Sequence, residues 1–261
     1  MSENLPLVFV HAFPMGAAMW QSQADAVTDR RVLAPALAGF DGRPRLDEPT
    51  MDGYARDLLA ALDTAGIGRA VFCGLSLGGY VLFGVLRLAP ERLAGLILAD
   101  TRTSVDTPER LAARRRSLAT AQQQGPAAIA EEMIPGLVGP TTHATRPHVA
   151  AAIRRLIESQ TAGAIADGLQ AMITRPDSAS VLARVRVPTL VLVGSEDTIT
   201  PVSDAEQMHR AIAGSTLVVI PAAGHMSNME APGDFNRALL DFLDAVPGDA
   251  GRHRPGIQNV P

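Results

Sequence analysis

Apolar positions along the chain fall into two alternating rhythms. Short, nearly unbroken apolar runs occur at Leu7 to Val10, Val32 to Ala34, Arg69 to Cys73, Leu93 to Ala99, Pro188 to Val193 and Ser215 to Ile220. Between most of them lie stretches whose apolar residues recur at helical spacing: Trp20 to Thr28, Thr50 to Gly66, Leu77 to Ala89, Pro201 to Ala213 and Pro232 to Ala245. Strands that are apolar on both faces and alternate with helices predict a sheet covered on both sides. The fold class expected is therefore α/β, a doubly wound and mostly parallel sheet.

The rhythm changes between Asp100 and about Asp177. Thr107-Pro108 opens a helical pattern through Gln124, with Gly125 as its stop; Pro126 to Met133, Arg146 to Gln160 and Ala162 to Thr174 follow as further helices. No strand interrupts them. Long insertions in compact domains are usually functional, so residues 103-177 are expected to form a helical cap on a core made of residues 1-102 and 178-247. Such a cap would limit water and shape substrate access. The polar, Gly/Pro-rich stretch 248-261 reads as a flexible tail.

Composition narrows the class. Over 261 residues the chain is 47% hydrophobic and 19% charged, with a net charge of −4, which fits a folded globular protein and carries no nucleic-acid footprint. The densest basic cluster, Arg114-Arg115-Arg116, reads as a solvated helix face. Cys73 is the single cysteine, so it can join no intrachain disulfide or thiolate metal site; inside a strand it should be buried and inert. No phosphate-binding glycine loop or His-x-x-x-His pair is present, and no cofactor or metal is expected. No apolar run has the length to span a bilayer, and Met1-Ser2-Glu3-Asn4 is unlike a secretory signal. The expected location is cytoplasmic, without a membrane partner.

The chemistry centres on Gly74-Leu75-Ser76-Leu77-Gly78-Gly79. It lies between a predicted strand and a predicted helix, so the glycines would permit a sharp bend that holds the Ser76 hydroxyl out at the carboxyl end of the sheet. A hydroxyl is a poor nucleophile until a base takes its proton, and the base needs a third group to fix its tautomer. Both partners should sit on loops after later strands. His225, after the strand ending at Ile220, meets that demand as the base, and Asp197, after the strand ending at Val193, meets it as the acid. Asp100 also ends a strand; its neighbourhood suits capping the next turn, whereas the turn at Asp197 and the proline-led helix beyond leave a carboxylate free. The amide of Leu77 at the helix start and the amide of Phe13 in the loop His11 to Gly16 are candidate oxyanion donors. Pro14 biases Phe13 toward extended backbone, while His11 is read as holding this loop by hydrogen bonds. His143, His148, His209 and His253 read as surface residues, and Met133 and Met172 as core.

These motifs together resemble the α/β-hydrolase superfamily over nearly the whole chain. His11-Ala12-Phe13-Pro14 resembles its oxyanion loop, with Ala12 where glycine is usual; Gly74 to Gly79 resembles its nucleophile elbow, Gly194-Ser195-Glu196-Asp197 its acid turn, and Gly224-His225 its histidine loop. Within it the chain is similar to bacterial carboxylesterases and 3-oxoadipate enol-lactonases, which carry a helical cap at this position. The resemblance implies a serine hydrolase acting on a small ester or lactone through an acyl-enzyme. Two alternatives stand beside it: a cofactor-free haloperoxidase or perhydrolase, and a non-catalytic ligand-binding member of the fold.

Overall fold

The computed structural model describes residues 4–246; residues 1–3 and the predicted tail at 248–261 lie outside the described residues. The six apolar runs form one sheet. Strands β1 (Leu7–Val10), β2 (Val32–Leu33), β3 (Ala70–Leu75), β4 (Leu93–Ala99), β5 (Thr189–Gly194) and β6 (Thr216–Ile220) are ordered β2-β1-β3-β4-β5-β6, and every pairing is parallel. All residues of β1, β3, β4 and β5 are buried, as expected of strands covered on both faces, whereas β6 at the sheet edge is partly exposed.

Helices α1 (Gln21–Ala26), α2 (Met51–Thr64), α3 (Leu77–Leu88), α9 (Val202–Ala211) and α11 (Pro232–Ala245) cover the sheet. The crossover β1-α1-β2 runs one way along the sheet, while β2-α2-β3, β3-α3-β4 and β5-α9-β6 run the other. Right-handed crossovers then place α1 on one face and α2, α3 and α9 on the opposite one. Contacts of α1 with α11, and of α2 with α3, fit that division. The strand order reverses between β1 and β3, so the loops that leave these two strands diverge and open a crevice at the sheet's carboxyl edge.

Local signals account for the helix ends. The Thr50 hydroxyl accepts the Gly53 N–H at 3.0 Å and starts α2; Gly66 follows the end of that helix at φ +70°. Helix α3 lies directly on β1, because a Cβ on Gly78 would fall 2.1 Å from the Val10 carbonyl oxygen. Substitution Gly78→Ala should therefore destabilise the protein by about 3 kcal/mol, as overpacked cores do, measured as a lower urea midpoint and reduced soluble yield.

Between β4 and β5 the chain is helical: α4 (Pro108–Leu137), α5 (Pro140–Thr145), α6 (Pro147–Glu158), α7 (Ala162–Ile173) and the short α8 (Ala179–Leu182). Gly125, at φ +80°, breaks α4 where the sequence places a stop, but the second arm runs on past Met133 to Leu137. Helices α6 and α7 both pack on α4. The pieces α5, α8 and α10 (Ser227–Glu230) were not predicted, being too short to display a period. Arg114 also departs from expectation. Only Arg115 and Arg116 are exposed; Arg114 turns inward to the carboxylate of Asp106 at 2.6 Å, where Arg102 (2.7 Å) and Arg175 (2.6 Å) converge as well. This cluster joins the segment that leaves β4 to the segment that follows α7.

Candidate active site

Ser76 sits between β3 and α3 with φ +54° and ψ −110°, a conformation that a residue with a Cβ adopts only under constraint. The constraint is visible. Its N–H donates to the Ala99 carbonyl at 2.9 Å, its own carbonyl accepts the Thr101 hydroxyl at 2.9 Å, and a Cβ on Gly74 would lie 2.6 Å from the Gly78 carbonyl carbon. The crowded bend points the Ser76 side chain at the histidine loop after β6.

There the Ser76 hydroxyl donates to His225 Nε2 at 2.8 Å, and His225 Nδ1 donates to Asp197 Oδ2 at 2.8 Å. The carboxylate opposite Nδ1 assigns that nitrogen the proton and leaves Nε2 bare. Asp197 is itself fixed from behind. Its Oδ1 accepts the Ile199 and Thr200 N–H groups at 2.8 and 2.9 Å, and its Oδ2 accepts the Thr200 hydroxyl at 2.7 Å. Burial, which opposes ionisation, is outweighed by His225 and these donors, so the Asp197 carboxyl titrates below its ordinary value. Ser76 keeps 9% of its surface exposed, while His225 and Asp197 keep 2% and 5%: the hydroxyl is reachable and the groups behind it are dry.

Asp100 is placed elsewhere. It is fully buried and makes no hydrogen bond to His225; its Oδ1 accepts the Gly194 N–H at 2.8 Å, and its Oδ2 accepts the Ser227 hydroxyl.

The loop after β1 is held by His11. Nε2 accepts the Leu37 N–H at 3.0 Å, so Nδ1 carries the proton and donates to the Ala12 carbonyl at 3.0 Å. The Ala12 N–H donates to Met19 Sδ at 3.1 Å, and the bond from Phe13 to Pro14 is cis. The Phe13 amide forms no backbone hydrogen bond among the described residues, and neither does that of Leu77, the first residue of α3. Two free N–H groups thus lie on the loops after β1 and β3, either side of the crevice.

Burial pushes the His11 imidazole down to about 4, against which its contacts with Ala12 and Asp41 act weakly. The folded ring therefore binds its proton less well than the unfolded one. Its contribution to stability is complete above pH 6.5 and is lost as pH falls toward 4, in total about 3 kcal/mol. Urea midpoints should fall between pH 7 and pH 5, and more steeply in the parent protein than in a His11→Gln variant.

The helices between β4 and β5 reach these loops directly. Leu137 accepts the Met226 N–H at 3.2 Å, Glu230 takes the Gly139 N–H at 2.8 Å, and Glu196 takes the Thr141 N–H at 3.0 Å. On the other side, a Cβ on Gly168 of α7 would lie 2.8 Å from the Phe13 ring, and Gln160 brackets Asp41, whose carboxylate accepts the Ala17 N–H at 2.8 Å. Glu196, Glu230, Thr200 and Asp41 were not singled out from sequence. Only Thr200 had a legible signal, an Asp three residues before it at the mouth of a proline-led helix.

His143 and His148 are exposed, His209 bonds Ser215 at 2.9 Å, and His253 lies outside the described residues. Among the described residues no group of three or more His, Cys, Asp or Glu could hold a metal, and no helix is long and apolar enough to cross a membrane.

A family model described as the alpha/beta hydrolase family matches residues 7–238. A thermophilic esterase from Thermogutta terrifontis, of known structure, is 40% identical, with a TM-score of 0.90 over 94% of this chain and 92% of that one. An enol-lactonase from Burkholderia xenovorans superposes with a TM-score of 0.85 at 26% identity, covering 92% of each chain. The 3-oxoadipate enol-lactonase 2 of Acinetobacter baylyi is 28% identical over 89% of this chain and 86% of its own length.

Proposed function

The chain belongs to the alpha/beta hydrolase family and is a hydrolase, and we propose that it cleaves a carboxylic ester or lactone of a small substrate through an acyl-enzyme on Ser76. The observation that carries this reading is the unbroken relay from Ser76 Oγ to His225 Nε2 and from His225 Nδ1 to Asp197 Oδ2, each step 2.8 Å.

In this reading Ser76 Oγ attacks the substrate carbonyl carbon while its proton passes to His225 Nε2. The imidazolium so formed is stabilised by Asp197, whose carboxylate is ionised and already oriented. Negative charge gathers on the carbonyl oxygen, where the Phe13 and Leu77 amides receive it; such paired donors commonly supply the largest share of catalysis. Collapse of the tetrahedral adduct breaks the ester C–O bond, and the leaving oxygen takes the proton from Nε2. A lactone's leaving oxygen stays tethered to the acyl group at this stage. Water then attacks the acyl-enzyme with His225 as its base, releasing the carboxylic acid and restoring the Ser76 hydroxyl. The helices of residues 103-177 act as a cap that excludes bulk water, a role supported by their contacts with Phe13, Glu196 and the histidine loop.

The similar esterase and enol-lactonases support both substrate types. A panel of short-chain esters, long-chain esters and enol lactones, compared by kcat/KM, tests the reading. Turnover of an ester or a lactone in the panel is expected; absence of turnover across the panel contradicts it.

A further inference from the structure

The end of β4 touches every loop that carries a member of the relay. The Ala99 carbonyl accepts the Ser76 N–H and the Thr101 hydroxyl donates to the Ser76 carbonyl, both at 2.9 Å, so this segment brackets the elbow from both sides. Between them, the Asp100 N–H donates to the Leu192 carbonyl of β5 at 2.9 Å. The Asp100 side chain then divides its two oxygens. Oδ1 takes the N–H of Gly194, where the Asp197 turn begins, at 2.8 Å; Oδ2 takes the hydroxyl of Ser227, just past His225.

We propose that Asp100 is a positioning residue for the hydrolytic site: its carboxyl ties the Asp197 turn to the His225 loop and sets both at a fixed place relative to Ser76. This rests on the reading of Ser76, His225 and Asp197 as nucleophile, base and acid.

Three features support the proposal. Asp100 is fully buried yet has φ +44°, and non-glycine residues are held in that region only where their surroundings demand it. Its two partners lie on different loops, so losing the side chain removes a tie between them and leaves the Glu196 N–H to Ala223 carbonyl bond at 2.8 Å and the Ala222 N–H to Ser195 hydroxyl bond at 3.0 Å to hold them together. Finally, burial, and after it the charge of Asp197, hold the Asp100 carboxyl well above the usual carboxylate range. With its proton on Oδ2 the carboxyl donates to the Ser227 oxygen in place of accepting its hydroxyl, and so links the loops without drawing the His225 imidazolium away from Asp197. Glu230, the other acid facing it, is occupied by the Gly139 and Met226 N–H groups at 2.8 and 3.1 Å.

The test compares Asp100→Gly, Asp100→Asn, Ser227→Ala and Ser76→Ala on a p-nitrophenyl ester. Glycine relieves the positive φ and removes the carboxyl, which separates backbone strain from the tether. The expected kcat loss for Asp100→Gly is about 10²-fold with little change in KM, the cost of slight misplacement of reacting groups. The acid limb of its kcat/KM profile should also move to lower pH, because a slackened Asp197 stabilises the imidazolium less. Asparagine can accept from Gly194 and donate to the Ser227 oxygen, so Asp100→Asn should recover most of the loss and restore the acid limb. Ser227→Ala, which removes one tether, should lose about tenfold in kcat.

A folded Asp100→Gly variant with the parent's kcat and acid limb overturns the proposal, as does an Asp100→Asn variant impaired as badly as Asp100→Gly. Should Asp100→Gly fail to fold, Ser227→Ala decides, and parental kcat there overturns it. Activity retained by Ser76→Ala would instead refute the hydrolytic reading itself, so the two failures are distinguishable.

Discussion

Ser76→Ala is expected to lower kcat on an activated ester by about 10⁶-fold, the loss seen when the nucleophile of such a relay is removed. The one cysteine offers no substitute: Cys73 is fully buried within β3, and burial pushes its thiol well above the ordinary value. What survives should be the part contributed by substrate binding and the oxyanion donors, on the order of 10³-fold over water. The fold should tolerate the change. Alanine at φ +54° is no more strained than serine, and the backbone contacts of residue 76 to Ala99 and Thr101 do not involve its side chain. Steady-state kinetics with a thermal melt as control checks both parts.

Asp197→Asn is expected to lower kcat by about 10⁴-fold through the tautomer of His225. The direction follows from the donors behind residue 197. The Ile199 and Thr200 N–H groups both point at Oδ1. An asparagine must keep its carbonyl oxygen there and so presents its NH₂ to His225 Nδ1. That nitrogen is then forced to accept, Nε2 carries the proton, and the ring cannot take one from Ser76. The loss should be confined to kcat, and it should shrink at high pH, where hydroxide can replace the general base in deacylation. Asp197→Ala, which imposes no tautomer but leaves the Ile199 and Thr200 donors unpaired, should cost stability as well.

Much of this architecture was legible in the sequence because its signals are local. A strand buried on both faces is a short apolar run bounded by turn residues, and Leu93–Ala99 and Leu7–Val10 were read to the residue. Ser76, Asp197 and His225 could be chosen because each follows such a run among glycines and prolines. What stayed hidden depends on partners far along the chain. Glu196 meets Thr141 across 55 residues and Gln160 meets Asp41 across 119, and periodicity carries no information about either encounter. Arg114 reads as part of a solvated face because the buried carboxylate that pairs with it, Asp106, lies outside its helix and so outside the helical period. Asp100 was readable as a residue ending a strand, but its two tethers belong to loops that only the sheet order brings beside it.

The mechanism requires that the Ser76 oxygen form a covalent ester during turnover. Rapid mixing with a p-nitrophenyl ester, followed by acid quench and peptide mass mapping, reveals such an ester. A burst of nitrophenol equal to the enzyme concentration is expected, with one acyl group located on the peptide that carries Ser76. Turnover without any acyl-enzyme under conditions that slow deacylation, or an acyl group mapped to another residue, would contradict it.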